Sequence, residues 1–361
     1  MSKRIITLGG GMVGSAIARD LKEQKYSVTV ADRDESLKAR LAPFGIDYLN
    51  LDFSNNNTVT DAVKNFDLVI GAVPGLMGFD ILKAVLEAGK DMVDISFMPE
   101  DSRALTQLAE KYKVTAITDA GVAPGLSNLL FGRALFEYDE LHSANCYVGG
   151  LPQSPQPPWW YKSVFSPIDV IEEYTRPARF VVNGKMVTMP AMTDMEQIEF
   201  EGIGTLDAFN SDGLRSLLDM PIPNMVEKTL RYPGHIQKII DLKNNGYFAP
   251  EKINNTAESL INDWAPEKGD YDQTIMRLEF SGIKDEKEIT ETFDLIDYFD
   301  KQKNITSMAR TTGYTCAAVA NIILSGDFTQ NGVFTLENFG RETKLVDNIL
   351  HYLSERNIQF N

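Results

Sequence analysis

The stretch RIITLGGGMVGSAIARDLKEQKYSVTVADRD, residues 4–34, constrains the fold more than any other part of the chain. Ile5 to Leu8 form a short apolar run. Gly9, Gly11 and Gly14 then hold G-x-G-x-x-G spacing, and Ala16 to Leu21 continue with helical character. A second apolar run, Val28 to Ala31, ends at Asp32. Strand, glycine turn, helix, strand and acid in this order form the fingerprint of a dinucleotide-binding βαβ unit. Each part has a physical reason. Gly9 permits the tight turn, Gly11 lets backbone approach a pyrophosphate, and Gly14 lets helix and strand pack closely. Met12 and Val13 stand in the helix's first turn, whose N–H groups face the anion. Asp32 accepts hydrogen bonds from ribose hydroxyls and repels a 2′-phosphate, which favours NAD. Arg33, a guanidinium beside the ribose, leaves NADP possible.

The same rhythm continues through IDYLNLDF, FDLVIGAVP, KDMVDIS and VTAITDA, each preceded by a helix-like segment. Short apolar strands alternating with amphipathic helices predict an α/β fold with a Rossmann-type, doubly wound parallel sheet running to about residue 122. Ligands of such sheets lie beyond the carboxyl ends of the strands. That rule selects Ala72, Val73 and Pro74, then Asp94 and Ser96, then Asp119. The turn DAGVAPGLSNLL leaves this rim, with Gly121 and Gly125 allowing backbone to come close to a ligand. The alternative is a domain-crossing turn in which Ser127 or Asn128 caps a helix.

At 361 residues the chain exceeds one ordinary core. RFVVNGKMVTM reads as a hairpin with Asn183-Gly184 at its tip, and TIMRLEFSGIKDEKEITETFDLIDYF as a second hairpin. These predict a separate, inserted α+β domain. Its expected limits are residues 126–304, with the nucleotide domain formed by 1–125 plus about 305–361. The small-residue helix in ITSMARTTGYTCAAVANIILSGDF makes the return. LPQSPQPP reads as a rigid loop. Trp160 and Tyr161 after it fit either a core or a pocket wall.

Composition excludes several classes. Lys and Arg number 35 against 51 Asp and Glu, a formal charge of −16, which repels nucleic-acid phosphates and anionic lipid surfaces. No segment has the ~18 uninterrupted apolar residues of a membrane helix. The N-terminal apolar run breaks into glycines too soon for a signal peptide, so a cytoplasmic protein is expected. Cys146 and Cys316 are isolated, and His142, His235 and His351 are scattered, so neither a disulfide framework nor a metal site is expected.

The segments LGGGMVGSAIARDL, DAGVAPGLSNLL, YVGGLP, PPWWYKSVFS, DAFNSDGLRSL, TLRYPGH and MARTTGYT together resemble the saccharopine dehydrogenase family, and within it the L-lysine 6-dehydrogenase members most. The resemblance spans nearly the whole chain in order. It implies a nucleotide domain, an inserted substrate domain that forms a homodimer, and NAD(P)-dependent oxidation at a C–N bond of an amino acid. In the lysine reading, hydride leaves the ε-carbon and the imine is hydrolysed to an aldehyde and ammonia. Two departures from saccharopine-acting relatives favour that reading: Val148 replaces a cysteine before the two glycines, and Ala123 stands where an acid occurs. The alternatives are a saccharopine or carboxy-polyamine dehydrogenase, with Arg179 or Lys162 as a second carboxylate clamp, and a non-catalytic dinucleotide-binding regulator.

The expected site residues follow. Asp119, Asp94 and His235 are candidates for the base that takes the amine proton. Arg231 is the first choice for the α-carboxylate and Arg215 the second, since a guanidinium binds carboxylate in a fork. Gly121, Tyr147, Gly149, Trp160 and Tyr161 complete the expected substrate contacts. Glu199 and Glu201 are read as alternating to one face of a strand, where they meet a substrate ammonium or water.

Overall fold

The computed structural model describes residues 2–164 and 167–361, and the chain divides into two compact units. One unit is Met1–Arg133 with Ala309–Asn357, and the other is Ala134–Met308 with Ile358–Asn361.

The first unit opens with β1 (Arg4–Leu8), α1 (Met12–Glu23), β2 (Ser27–Asp32), α2 (Ser36–Leu41), β3 (Asp47–Asn50) and α3 (Asn56–Val63). It continues with β4 (Leu68–Gly71), α4 (Gly75–Glu87), β5 (Met92–Asp94), α5 (Thr106–Tyr112) and β6 (Thr115–Ile117). The strands are parallel. Ile5, Ile6, Leu8, Leu68, Val69, Ile70, Met92 and Val93 are all fully buried. Such unbroken apolar strands, without alternation, are what helices on both faces of a sheet require. Each large side chain so buried contributes roughly 1.5–3 kcal/mol.

After α6 (Leu126–Glu137) the second unit builds β7 (Glu140–Pro152), α7 (Pro167–Thr175), the hairpin β8 (Ala178–Val182) and β9 (Lys185–Met189), β10 (Glu196–Phe200), β11 (Gly204–Asn210) and β12 (Asn224–Arg231). Then come α8 (His235–Asn244), α9 (Ile253–Asp263), β13 (Asp272–Lys284) and β14 (Lys287–Tyr298). Its sheet runs β10-β11-β12-β7-β13-β14, with the β8–β9 hairpin attached to β12. The β7–β12 pair is parallel and its neighbours antiparallel, so the sheet is mixed. The tip of the first hairpin has positive φ at both Asn183 and Gly184, as a two-residue type I′ turn demands.

The return is α10 (Ser307–Ser325), β15 (Gly332–Phe334) and α11 (Thr343–Ser354). β15 pairs with β6 and completes a seven-stranded sheet in the order β3-β2-β1-β4-β5-β6-β15. The strand order reverses between β1 and β4, which is the point where doubly wound sheets open a crevice for ligand. Three details differ from the sequence reading. The seventh strand has only three residues, too few for a periodic signal. The first crossing falls at 133/134 rather than 125/126, because most of α6 packs with the first unit. The last four residues return to the second unit, where Leu295 bridges to Phe360. Among the described residues no helix is long and apolar enough to cross a membrane.

Candidate functional site

The glycine loop sits at the reversal point between β1 and β4. Gly9 has φ +100°, its N–H donates to Ala31 O at 2.9 Å, and a Cβ on it would lie 2.3 Å from Ala72 O. A Cβ on Gly14 would lie 2.1 Å from Gly9 O, so α1 packs directly on the loop. Gly11 is different. Its backbone is in the ordinary extended region and nothing lies within 4 Å of where a Cβ would be. No side chain caps α1. An uncapped helix start beside open space is what a bound pyrophosphate needs.

Asp32 closes this arrangement at the end of β2. Its Oδ2 accepts from the Gly10 N–H at 2.7 Å and its Oδ1 from the Asp34 N–H at 2.9 Å. Gly10, not singled out in the sequence reading, is thus the donor that ties the loop to the acid. Only its place within GGG signals it. Met12 is exposed at the start of α1, and Arg33 is exposed beside Asp32. Together the loop, helix start and acid fit a nicotinamide dinucleotide.

The other rim residues come to the carboxyl ends of the same strands. Ala72 and Val73 follow β4, and Pro74 leads into α4. Asp94 ends β5 fully buried, and Ser96 Oγ donates to its Oδ1 at 2.9 Å. A Cβ on Gly71 would lie 1.9 Å from that Oδ1, so β4 is cut away to admit the carboxylate. Burial, and then the Asp94 charge, pushes the Cys316 thiol of α10 well above its usual range. Asp119 is buried with φ +52°, a conformation that a residue with a side chain adopts at a cost of about 1–2 kcal/mol. Such strain clusters at functional positions.

The turn that follows is tightly bonded. Gly121 N–H donates to Pro124 O, Leu126 N–H to Gly121 O, and Ser127 N–H to Val122 O. Asn128 accepts the Gly125 N–H through Oδ1 at 3.0 Å. The helix therefore starts at Leu126, and Asn128 acts from inside its first turn rather than from the cap position.

Most of the remaining expected residues belong to the second unit, where a buried cluster joins Arg231 and His235. Arg231 is 1% exposed. Its Nε donates to Tyr174 OH at 3.0 Å, one Nη to Leu230 O at 2.9 Å and the other to Glu173 Oε2 at 2.5 Å. Its guanidinium also lies 4.6 Å from the Tyr161 ring centre. Arg231, expected as the carboxylate clamp, is thus already paired with an acid of its own unit. His235 is wholly buried, with Nε2 2.9 Å from Tyr174 OH and Nδ1 2.8 Å from Trp159 O. Desolvation, and then the Arg231 charge, pushes its pKa down to about 3. A ring with both nitrogens engaged and no affinity for a proton near neutrality does not suit a general base.

Tyr161 packs at 5.3 Å from Trp264 and 5.0 Å from His235, in the core of this unit. Trp160 is half-buried with φ +51°. Gly149 lets β7 approach β12, where a Cβ would lie 2.7 Å from Leu230 O. Tyr147 beside it is buried. Arg215 is half-buried at the head of a short 3-10 turn. Arg179 grips Asp212 through two bonds of 2.8 and 2.9 Å. Lys162 donates to Ala265 O. Glu199 is exposed and accepts from Thr205, while Glu201 lies in the turn after β10, so the two do not share a strand face. Phe165 and Ser166 of PPWWYKSVFS lie outside the described residues. Glu173 and Tyr174, the partners of Arg231 and His235, carried no motif and were missed.

Burial of His235 as a neutral ring links folding stability to pH. The unfolded chain takes up a proton near pH 6.5 that the folded chain refuses until about pH 3. This contribution to stability is therefore complete above about pH 6.5 and falls as pH drops, by about 2 kcal/mol on reaching pH 5. Denaturant titrations at pH 7 and pH 5 are expected to show this loss in the native chain and a smaller one in His235→Gln. Equal losses in the two proteins would contradict a neutral buried ring.

Two family models match the chain one after the other, and the second of them spans both the second unit and the returning segment of the first. The model for the saccharopine dehydrogenase NADP binding domain matches residues 5–117, and that for the saccharopine dehydrogenase C-terminal domain matches residues 121–358. The chain is 24% identical over 274 residues to mouse mitochondrial alpha-aminoadipic semialdehyde synthase, covering 71% of this chain and 29% of that protein. It is 26% identical over 270 residues to saccharopine dehydrogenase [NADP(+), L-glutamate-forming] of Pyricularia oryzae, covering 70% and 59%. With the Saccharomyces cerevisiae protein of the same name the identity is 23% over 370 residues, covering 95% and 82%. The match thus spans less than two thirds of the mouse and Pyricularia proteins. The solved apo structure of the Saccharomyces cerevisiae saccharopine dehydrogenase (L-Glu forming) superposes with a TM-score of 0.81 at 20% identity, over 100% of this chain and 99% of that one, and so shares its fold.

Proposed function

The chain belongs to the saccharopine dehydrogenase family, and from that premise we propose that it is a nicotinamide-dinucleotide-dependent oxidoreductase acting on a C–N bond of an amino acid. The observation that carries this reading is the glycine loop at the sheet's reversal point, open at Gly11 and tied through Gly10 to Asp32. Saccharopine is the first substrate to test, because the named relatives carry that activity in their names.

A bound nicotinamide supplies the hydride acceptor. The chain's own residues hold the dinucleotide and move a proton. Hydride leaves the carbon that bears the amine, the nitrogen gives up a proton, and water adds to the resulting imine to release the amine product. The amine must be neutral to react, so a base is required. Asp119 is the first candidate: it lies just beyond β6, held in a strained backbone conformation, whereas Asp94 is fully buried and bonded to Ser96. A homodimer formed through the second unit belongs to the same reading.

Oxidation of the lysine ε-amine is the second reading, and one observation favours it. Saccharopine carries three carboxylates, yet Arg179, Lys228, Arg231 and Arg277 are each already paired with an acid of the second unit. Lysine needs only one cation. Product analysis separates the two readings: glutamate released from saccharopine supports the first, and ammonia released from lysine supports the second. If neither product forms in the presence of NAD or NADP, both substrate assignments fail.

A further inference from the structure

We propose that the outer edge of β9 pairs antiparallel with the same strand of a second copy of this chain, so that the second units of two copies share one continuous sheet. This rests on the homodimer reading above and names the surface that forms it.

Among the described residues the sheet of the second unit ends at three strands: β10, β14 and, on the attached hairpin, β9. A sheet edge is a row of backbone donors and acceptors that another chain can complete, so proteins normally cover or charge it. Two of the three edges are treated in that way. The chain's own end covers β14, where Asn361 N–H donates to Asp294 O at 2.8 Å and Leu295 bridges to Phe360. β10 exposes Glu196, Gln197 and Glu199, so a second copy would meet carboxylates there. β9 has neither protection. It pairs only with β8, and residues 174–193 contain no Asp or Glu although the whole chain carries 51. Met186 is 62% exposed, and Val182 and Met189 of the same hairpin are exposed as well.

The edge is also held in place. Val181 pairs with Met225 of β12, Gly184 N–H donates to Pro223 O at 2.8 Å, and Asn183 N–H donates to Asn224 Oδ1 at 3.0 Å. Val182 and Lys185 close the two-residue turn as a bonded pair. Bonded and non-bonded pairs alternate from there, which leaves the N–H and C=O groups of Met186 and Thr188 pointing away from β8.

A second copy fits that row. A chain of formal charge −16 repels its copy over most of its surface, and an acid-free edge is where two copies can approach. Centred on Val187, the antiparallel pairing sets Met186 against Thr188 and Lys185 against Met189, so no like charges stand directly opposite. The contact is isologous and uses both edges, which closes the assembly at two copies.

Sedimentation velocity of the full chain tests this, at a concentration where the native chain is expected to be fully dimeric. Thr188→Pro removes an outward N–H and leaves the bonds to β8 intact. Met186→Lys places a charge on each side of the two-fold axis. Both variants are expected to sediment as monomers while circular dichroism shows them folded. A native chain that sediments as a monomer overturns this inference together with the homodimer reading, and leaves the oxidoreductase reading standing. A native dimer that persists in Met186→Lys, or in folded Thr188→Pro, overturns this inference alone. Should Thr188→Pro fail to fold, Met186→Lys decides.

Discussion

Replacing Gly9 with alanine is expected to abolish dinucleotide binding and to destabilise the first unit. Alanine at φ +100° is strained in itself, and its Cβ would lie 2.3 Å from Ala72 O and 2.8 Å from Ala72 C, both backbone atoms that cannot rotate away. Either β4 must move or the loop must open, at a combined cost of about 3 kcal/mol or more. Applied to the binding-competent loop, that corresponds to a loss of roughly 100-fold or more in affinity. Gly11→Ala provides the contrast, because its backbone is unstrained and its Cβ would meet nothing within 4 Å. That variant should fold with native stability and still bind dinucleotide more weakly, since the methyl occupies the space left for phosphate. Thermal melts and nucleotide titrations on both variants check the pair. Native affinity in Gly11→Ala would mean that no phosphate lies against this loop.

Arg231→Ala is expected to destabilise the second unit by about 3–5 kcal/mol, the usual cost of breaking a buried ion pair by removing one partner. The guanidinium is 1% exposed and joins Glu173, Tyr174 and Leu230, and Tyr174 in turn meets His235. Removing it takes a cation from the Glu173 carboxylate and opens a cavity beneath Tyr161. A fall of roughly 5–15 °C in the melting temperature is the expected reading. Arg231→Lys should recover only part of it, because an ammonium keeps the charge but cannot donate along the same three directions. A variant that melts like the native chain and loses only substrate affinity would restore Arg231 to the role of carboxylate clamp.

The two halves of the molecule were unequally legible. The first unit announced itself because its signals are local: Gly9 to Asp32 spans one βαβ unit, and the apolar runs of β1, β4 and β5 are continuous for the reason that both faces are covered. The hairpin at Asn183-Gly184 was visible for the same reason, since positive φ at two successive positions selects those residues. What escaped detection depended on contacts distant in sequence. β15 is a three-residue strand defined by its pairing with β6 across more than half the chain. The second unit's cluster joins residues of α7, β12 and α8, and no spacing rule links Glu173 to Arg231 or Tyr174 to His235. Arg231 is a candidate because a guanidinium suits a carboxylate, and His235 because an imidazole titrates in a useful range, but burial and partners decide such roles, and neither appears in the sequence. The lysine reading leaned on Val148 and Ala123, two single positions, while the matched relatives carry the saccharopine name.

The activity proposed for this chain is hydride transfer between an amino-acid C–N bond and a nicotinamide. Absorbance at the reduced-nicotinamide band, followed while the purified chain is given NAD or NADP with saccharopine and separately with lysine, tests it most directly. Substrate-dependent reduction with at least one of the two amines, lost in Gly9→Ala, is the expected result. Tight dinucleotide binding with no reduction by either amine would contradict it.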